Sequence, residues 1–578
     1  MSTVKWCGVE ICTGSGGPGR FGIQARNAKR LKRNVGYDVV ILGSGAAGLV
    51  AAITAAEHGA SVAVIEKSEL IGGTSAMSGG IVWMPNNHLQ AEAGKEDSRQ
   101  DALDYLAALS LGQIDSDMAA AFVDEGPQML RFLDEATPCG FHLLPTYPDY
   151  HPEHPGGKPA GGRSLDNALY PFDELGEWGH KIRNHRGANP VMLIETPLGG
   201  ATTTPDAALI ADRIANRENG MGLGLVGALV KGCLDRGVDI HLSTRARHLV
   251  IEDGRVTGVR VAGEESPDDE SVIDARRGVV IATGGFEWNE DLCRTFLRGP
   301  MTAPAGSPDN TGDGLVMAME AGARLGNMRN AWWVPVTRVP GASNWGKPAV
   351  SLILLERTRP GSLMVNGSGR RFCNEAGNYN AMGGVFHEFD PASFDYPNQT
   401  AWLIFDHRYK SRYDVAGAPP GDEVPDWITS APTIEALSAK LDLDPATLSA
   451  TVARFSEFAA KGEDPDFQRG VSAYDTFNGD QSLPGVEATL APVDEPPFYA
   501  IPIELGSLGT TGGPKTDTRA RVLSLEGGVI GGLYAAGNAM AAATGMVYGG
   551  AGGTLGPAMT FGYIAGREAA GSPAPTRE

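Results

Sequence analysis

The stretch YDVVILGSGAAGLVAAITAAEHGASVAVIEK, Tyr37 to Lys67, decides the fold. Val39 to Leu42 is a short apolar run of strand composition. Gly43, Gly45 and Gly48 then form G-x-G-x-x-G. The first glycine permits a tight turn, the second lets backbone approach a pyrophosphate, and the third lets a helix pack close on the strand. The spacing predicts a helix over Ala46 to His58, with its positive N-terminal end aimed at that pyrophosphate. Ser61 to Ile65 reads as a second strand. Glu66 follows it, about 20 residues beyond the glycines, where a carboxylate meets a ribose hydroxyl. Strand, turn, helix, strand and acid in this order predict a dinucleotide site that includes Ser44, Ala46, Ala47 and Lys67.

The continuation, GGTSAMSGG with Gly73, Thr74, Ser75, Gly79 and Gly80, supplies small residues that let a chain pass close beside a long cofactor. It resembles the loop by which flavoproteins of the fumarate reductase type pass FAD, which selects FAD over NAD. Further on, a buried-strand pattern from Arg277 to Ile281 runs into Ala282-Thr283-Gly284-Gly285, similar to the second cofactor-lining turn of these flavoproteins. Asp313 falls at a predicted helix start, where a carboxylate suits the dipole, with a cofactor role as the alternative. Near the end, Gly532 to Ala536 reads as the last strand of the nucleotide sheet, followed by Gly537 and Asn538. Thr554 and Leu555 open a last helix behind glycines.

Composition sets the outer limits. A chain of 578 residues exceeds one compact core. A net charge of −21 argues against nucleic acid or an anionic membrane as partner. No apolar run reaches the length of a membrane span, and the start lacks the apolar middle of a secretory signal. Six cysteines without a C-x-x-C pair suggest reduced thiols and a cytoplasmic enzyme without a zinc site. His151 and His154 sit among prolines in an irregular loop and read as exposed loop histidines rather than metal ligands.

Residues 1–35 are expected to be a mobile, basic tail. Residues 36–326 and 500–578 are expected to form a discontinuous FAD-binding domain of Rossmann-like (GR2-type) α/β fold. Residues 327–499, rich in tryptophan and proline, are expected to be an inserted α+β catalytic (capping) domain. The segment Leu165 to Gly220 is the least legible; it is expected either to cover the active site or to form an oligomer contact.

From about Tyr37 to Ala570 the chain resembles the 3-ketosteroid 1-dehydrogenases, within the fumarate reductase/succinate dehydrogenase flavoprotein superfamily. GSGAAG, GGTSAMSGG, ATGG and GLYAAGN carry the superfamily likeness. PDY ending at Tyr150, RRFCNEAGNY ending at Tyr379 and YGGAG from Tyr548 to Gly552 carry the likeness to the dehydrogenases. The resemblance implies desaturation next to a ring ketone, with non-covalent FAD as hydride acceptor and a quinone or dye-like acceptor beyond it. It implies Tyr548 and the Gly552 N–H as the oxyanion hole, Tyr379 as base and Tyr150 as its assistant. His88, the histidine nearest the GGTSAMSGG loop, is read as unlinked to the flavin.

Departures bear on the substrate. Gly549 replaces the family's proline after the tyrosine and is expected to loosen the backbone there. Thr511 stands where many relatives carry lysine, and the 165–220 region is longer than in the shorter members. A steroid is favoured, with a cyclohexanone-type ring as the alternative. Reduction of an activated alkene, as in the fumarate reductases, is the competing chemistry. Their dicarboxylate-clamping segment is replaced by Ala331-Trp332-Trp333-Val334-Pro335, which is expected to form an aromatic wall. A non-catalytic flavin-binding protein is the remaining reading.

Overall fold

A computed structural model describes residues 32–571, apart from 185–186, 264–265 and 422. The tail expected over 1–35 lies outside the described residues up to 31. Its last part belongs to strand Lys32–Leu42, which pairs with Ser266–Ile281 from Lys32 onward.

The first layer is a sheet whose core is parallel. Val529–Ala535, Ser266–Ile281, Lys32–Leu42, Val62–Ile65 and Asp239–His241 lie side by side in that order. Val39 to Leu42 and Val62 to Ile65 are buried throughout, as strands covered on both faces must be. An antiparallel flank of Thr244–Glu252, Arg255–Gly263 and Arg521–Leu523 completes the sheet.

Register is what turns this sheet into a site. Leu42 faces Ile65 on one side and Ile281 on the other, and Ile281 faces Ala535. Four strands from distant parts of the chain therefore end abreast. Each hands on to a motif read in the sequence: Gly43, Glu66, Ala282 and Ala536-Gly537. Ligands bind at such carboxyl ends of parallel strands.

Two helices bring the chain's ends together. Ala46–Glu57 and Leu555–Ala569 cross backbone to backbone. A Cβ at Gly562 would lie 2.4 Å from the Ala47 carbonyl oxygen, and one at Gly566 2.3 Å from that of Ala51. Only glycine permits this approach, and it sets Thr554 and Leu555 beside the first glycine turn.

The second layer is a sheet in the order Lys347–Leu352, Ala331–Asn344, Phe498–Thr510, Ala401–Phe405 and Ser362–Asn366. Helices Ile434–Leu441 and Pro445–Ala459 cover one face of it, burying Leu437, Leu448, Val452 and Phe455. Phe498–Thr510 runs through the middle of this sheet, so the expected boundary at 499 falls inside a strand. Ala303–Pro304, ahead of the expected insertion, pairs with the same strand. Among the described residues no helix is long and apolar enough to cross a membrane.

Candidate active site

A cavity of about 640 Å³ lies along the line of strand ends and continues beneath the second sheet. One stretch of its wall is the expected cofactor cradle. Gly43 to Ala47, Glu66, Lys67, Gly73, Thr74, Ser75, Gly79 and Gly80 line it, with Ala282, Thr283, Gly284, Asp313, Gly537, Asn538, Thr554 and Leu555.

The three glycines of the turn divide their work. Gly43, at φ 102°, has no room for a Cβ, which would lie 2.4 Å from the Ala282 carbonyl oxygen. Gly45 faces the cavity, where the nearest atom to a Cβ is 3.6 Å away. Gly48 does not line the cavity; its Cβ position is 2.1 Å from the Gly43 carbonyl oxygen, so it serves helix–strand packing. Gly285 is likewise turned away from the cavity, against Thr510 Oγ1 and the Glu287 carboxylate. Both therefore act behind the cradle rather than in it.

Glu66 is held in place by the chain itself. Its Oε2 accepts from the Ser44 N–H at 3.0 Å and the Ser44 hydroxyl at 2.7 Å, and its Oε1 from the Ser68 N–H at 2.9 Å. Asp313 stands in the first turn of helix Asp313–Glu320 and pairs with Lys67 at 3.1 Å and Arg245 at 2.8 Å. Those cations hold its carboxyl below the usual range despite burial. The cradle fits FAD: small residues where a pyrophosphate must approach, an oriented carboxylate for a ribose, and the buried Thr283 hydroxyl without a partner in the protein.

The other stretch of wall is made of tyrosines. The Tyr150 hydroxyl donates to that of Tyr379 at 3.0 Å. Tyr548 stacks on Tyr150 with centroids 5.3 Å apart and meets Tyr379 edge-on at 5.4 Å. Residues far apart in the chain, 150, 379 and 548, are thus one cluster. Burial pushes all three phenols above their ordinary value. Gly552, at φ 92°, lines the cavity, and its N–H donates to no protein acceptor among the described residues.

Four cross-links fix the loops that carry these groups, and none of them is legible in the sequence. The Tyr105 hydroxyl donates to the Gly549 carbonyl at 2.8 Å and accepts from the His151 N–H at 3.0 Å. Tyr150 N–H donates to the same Gly549 carbonyl at 3.0 Å. Asp149 accepts from Trp83 Nε1 and from Arg163, both at 2.8 Å, which seats the Tyr150 loop on the Trp83 indole. Asn378 Nδ2 meets His151 Nε2 at 3.3 Å, joining the Tyr379 loop to the Tyr150 loop. His151 is thereby a half-buried structural contact rather than the exposed loop histidine expected, whereas His154 is exposed.

Several expectations need correction. Gly549 does not loosen the backbone: its carbonyl takes two hydrogen bonds, and its Cβ position lies 2.5 Å from Trp83. The aromatic wall is only half formed. Strand alternation sends Trp332 behind Tyr548, at 5.3 Å edge-on, and Trp333 into the opposite core against His387. Neither tryptophan lines the cavity. Thr511 is buried and donates to the backbone carbonyls of Asn327 and Asn330. The 165–220 region covers the cavity through Leu193, Thr196, Pro197 and Leu198. Tyr474, not singled out from the sequence, packs edge-on against Tyr150 at 4.9 Å.

Comparison with known proteins agrees with this geometry. The FAD binding domain family matches residues 38–555. The chain is 41% identical to 4-oxocyclohexanecarboxylate 2-dehydrogenase of Sinomonas cyclohexanicum, over 93% of each chain. It is 38% identical to 3-oxosteroid 1-dehydrogenase of Mycolicibacterium smegmatis, over 94% of this chain and 98% of that one. The crystal structure of 3-ketosteroid delta1-dehydrogenase from Sterolibacterium denitrificans, in complex with 1,4-androstadiene-3,17-dione, superimposes with a TM-score of 0.86 at 34% identity. That match covers 93% of this chain and 100% of the other. A glycine cradle for FAD opposite a tyrosine cluster, in a chain so aligned with dehydrogenases of ring ketones, belongs to the FAD-dependent oxidoreductase family of the 3-oxosteroid 1-dehydrogenases.

Proposed function

We propose that this protein introduces a double bond next to the carbonyl of an apolar ring ketone of steroid size, and that Tyr548, Gly552, Tyr379 and Tyr150 carry the reaction. The observation behind this reading is the hydroxyl contact of 3.0 Å between Tyr150 and Tyr379, on a cavity wall shared with Tyr548 and the free Gly552 N–H.

The chemistry follows from the groups. The α-proton of a ketone is far less acidic than a phenol of reference pKa about 10. The carbonyl must therefore be polarised as the proton leaves. The Tyr548 hydroxyl and Gly552 N–H are the donors for that oxygen, each worth ~2.7–4 kcal/mol in a dry site. Tyr379 takes the α-proton, and Tyr150 passes it onward through their shared hydrogen bond. FAD, when bound, supplies the two-electron acceptor for the hydrogen that leaves the β-carbon. The cofactor-binding residues are those of the cradle, with Gly48 and Gly285 in support.

FAD is held without a covalent bond. No histidine or cysteine is among the described residues lining the cavity, and His88 points instead toward Asp134 at 3.9 Å. The steroid preference rests on partly exposed apolar residues that lead outward from the tyrosines: Leu198, Val350, Leu352, Leu354 and Leu508. A second reading, a small ring ketone bearing a carboxylate, is favoured by the 41% identity to the 4-oxocyclohexanecarboxylate enzyme. A quinone or dye-like molecule would be the final electron acceptor in this reading. The cytoplasm is the compartment in this reading, in keeping with the free thiols of Cys139, Cys233, Cys293 and Cys373.

The test is anaerobic titration of the FAD-loaded protein with a ketone panel, following the flavin absorbance. Bleaching by a 3-ketosteroid is expected. Bleaching by 4-oxocyclohexanecarboxylate alone would move the substrate to the small ring. Bleaching by none, with reoxidation of the reduced protein by an enone, would refute the desaturase direction.

A further inference from the structure

Burial alone is the wrong preparation for a base. It drives Tyr150 and Tyr379 toward the neutral phenol, which holds a proton rather than takes one. A cluster that accepts an α-proton must begin the cycle one proton short. In that state one phenolate is shared along its hydrogen bonds. The α-carbon–hydrogen bond then breaks, an O–H bond forms on Tyr379, and the cluster becomes neutral. Release of that proton to solvent restores the phenolate. A resident anion inside a buried cavity needs a resident cation.

One is present. Arg357 is buried to 1% exposure and lines the cavity with the tyrosines. Among the described residues no carboxylate lies within ion-pair distance of it. The other lining cations differ: half-buried Lys67 pairs with Asp313, and buried Arg183 with Asp309. Lys347 stands exposed at the rim. The Arg357 guanidinium is spent on backbone carbonyls: Nε donates to Ile353 at 3.0 Å, and Nη1 to Glu375 and to Gly377, the latter at 2.7 Å. Glu375 and Gly377 belong to the loop that presents Tyr379. Tyr474, whose ring packs on Tyr150 at 4.9 Å, lines the same cavity as Arg357, and the Arg357 charge favours the ionised form of both the Tyr474 and the Tyr147 phenol against the rise from burial.

We propose that Arg357 is the positioning residue that makes the tyrosine cluster a base: it supplies the counter-charge for the shared phenolate and holds the Tyr379 loop by its backbone. This rests on the reading of Tyr379 as base. The other charged groups around the cluster are already matched. Glu375 is paired with Arg371 and Arg469, at 2.8 and 3.2 Å. Asp149 is paired with Arg163 at 2.8 Å. Asp475 accepts from Asn374 and from the Gly470 N–H, both at 2.9 Å. His151, half-buried beside Asn378, is pushed down to about 4 and stays neutral through the working range. Tyr548 and Trp332, on the remaining side, bring no charge.

The experiment is the pH profile of kcat for the FAD-loaded enzyme with the ketone that bleaches it best. In the wild type kcat rises with pH as the cluster loses its proton. Arg357→Gln is expected to move that limb up by about 1–2 pH units, with a loss of about 10–100-fold below the limb and recovery above it. Arg357→Lys, which keeps the charge, should restore the limb's position. If Arg357→Gln does not load FAD, Tyr474→Phe carries the test. It removes the phenol beside Tyr150 on which the Arg357 charge acts, leaves the backbone bonds of Arg357 in place, and should move the limb the same way.

An equal loss at every pH would overturn the proposal and leave Arg357 a loop anchor. A rise in KM confined to carboxylated ketones, with the limb unmoved, would overturn it in favour of a substrate-carboxylate site. Tyr379→Phe separates the two levels of the argument. Full turnover in that variant refutes Tyr379 as base. Lost turnover there, with an unmoved limb in Arg357→Gln, refutes only the role of Arg357.

Discussion

Gly549→Ala puts the packing beneath the proposed oxyanion hole to a direct test. The methyl would lie 2.5, 2.6 and 2.9 Å from Cη2, Cζ2 and Cζ3 of Trp83. That indole has little freedom to yield. It is 1% exposed, its Nε1 donates to Asp149 at 2.8 Å, and it stacks on Phe122 at 6.0 Å. The strain falls on the backbone between Tyr548 and Gly552 instead. Overpacking of this kind costs about 1–3 kcal/mol. The same displacement pulls the Gly549 carbonyl from Tyr105 and from Tyr150 N–H, so turnover should fall together with stability. Thermal release of FAD, followed by flavin fluorescence, reads the stability, and steady-state kcat reads the site. Trp83→Phe combined with Gly549→Ala should recover part of both losses, because the smaller ring vacates the contested space. Gly384→Ala is the control, since no atom lies within 4 Å of its Cβ position. If Gly549→Ala matched the wild type in both assays, the conclusion that Trp83 dictates glycine here would be wrong.

Other perturbations reach different parts of the structure. Tyr548→Phe should leave FAD bound and reduce kcat by about 10²–10³-fold, the worth of one oxyanion donor, as measured by steady-state turnover. Tyr105→Phe leaves the buried Gly549 carbonyl and His151 N–H short of a partner, so unfolding should be easier by about 1–3 kcal/mol in thermal melts. Glu66→Gln should weaken FAD in equilibrium titration, because Oε2 can no longer accept as a carboxylate from both Ser44 donors. Glu287, fully enclosed behind the cradle, is pushed up to about 7 from 4.5 by burial. A folded value above the unfolded one means its stabilisation is complete below pH 4.5 and lost as pH rises through 7. Linkage puts that loss on the order of 3 kcal/mol. Glu287→Gln should flatten the dependence of the melting temperature on pH across that window.

The cofactor half of the molecule was legible in the sequence because its constraints are local. Each glycine turn follows its own strand, and a strand's composition is visible in four or five residues. Register was not visible. Nothing near Leu42 announces that it stands between Ile65 and Ile281, yet that alignment makes four separate motifs one cradle. The tyrosines were found through family likeness, since a lone tyrosine carries no signal of its own. Their supports were beyond reach. Tyr105 is an ordinary buried position in helix Arg99–Leu109, and only the fold reveals that its hydroxyl bridges the loops of Tyr150 and Tyr548. The role of Gly549 is hidden in the sequence for the same reason. A glycine read alone implies freedom, whereas a glycine under an indole is there because nothing larger fits.

The cluster also bears on why this site runs as a desaturase. Flavin chemistry is reversible, and a neutral phenol above its ordinary pKa suits a site that hands a proton to an alkene. Tyr150, Tyr379 and Tyr548 taken alone are such a site, since burial raises all three. The desaturase direction asks the opposite of Tyr150 and Tyr379: that pair must rest as an anion and end protonated, while Tyr548 keeps its proton to donate to the ketone oxygen. The shift between these demands must come from a charge that remains through the cycle and does not belong to the substrate. Arg357, satisfied by carbonyls and matched to no carboxylate among the described residues, has both properties. A carboxylate placed beside it would cancel the counter-charge and return the cluster to the neutral state that favours reduction. The choice of backbone carbonyls as its partners therefore holds the guanidinium in place while leaving its charge available to the tyrosines.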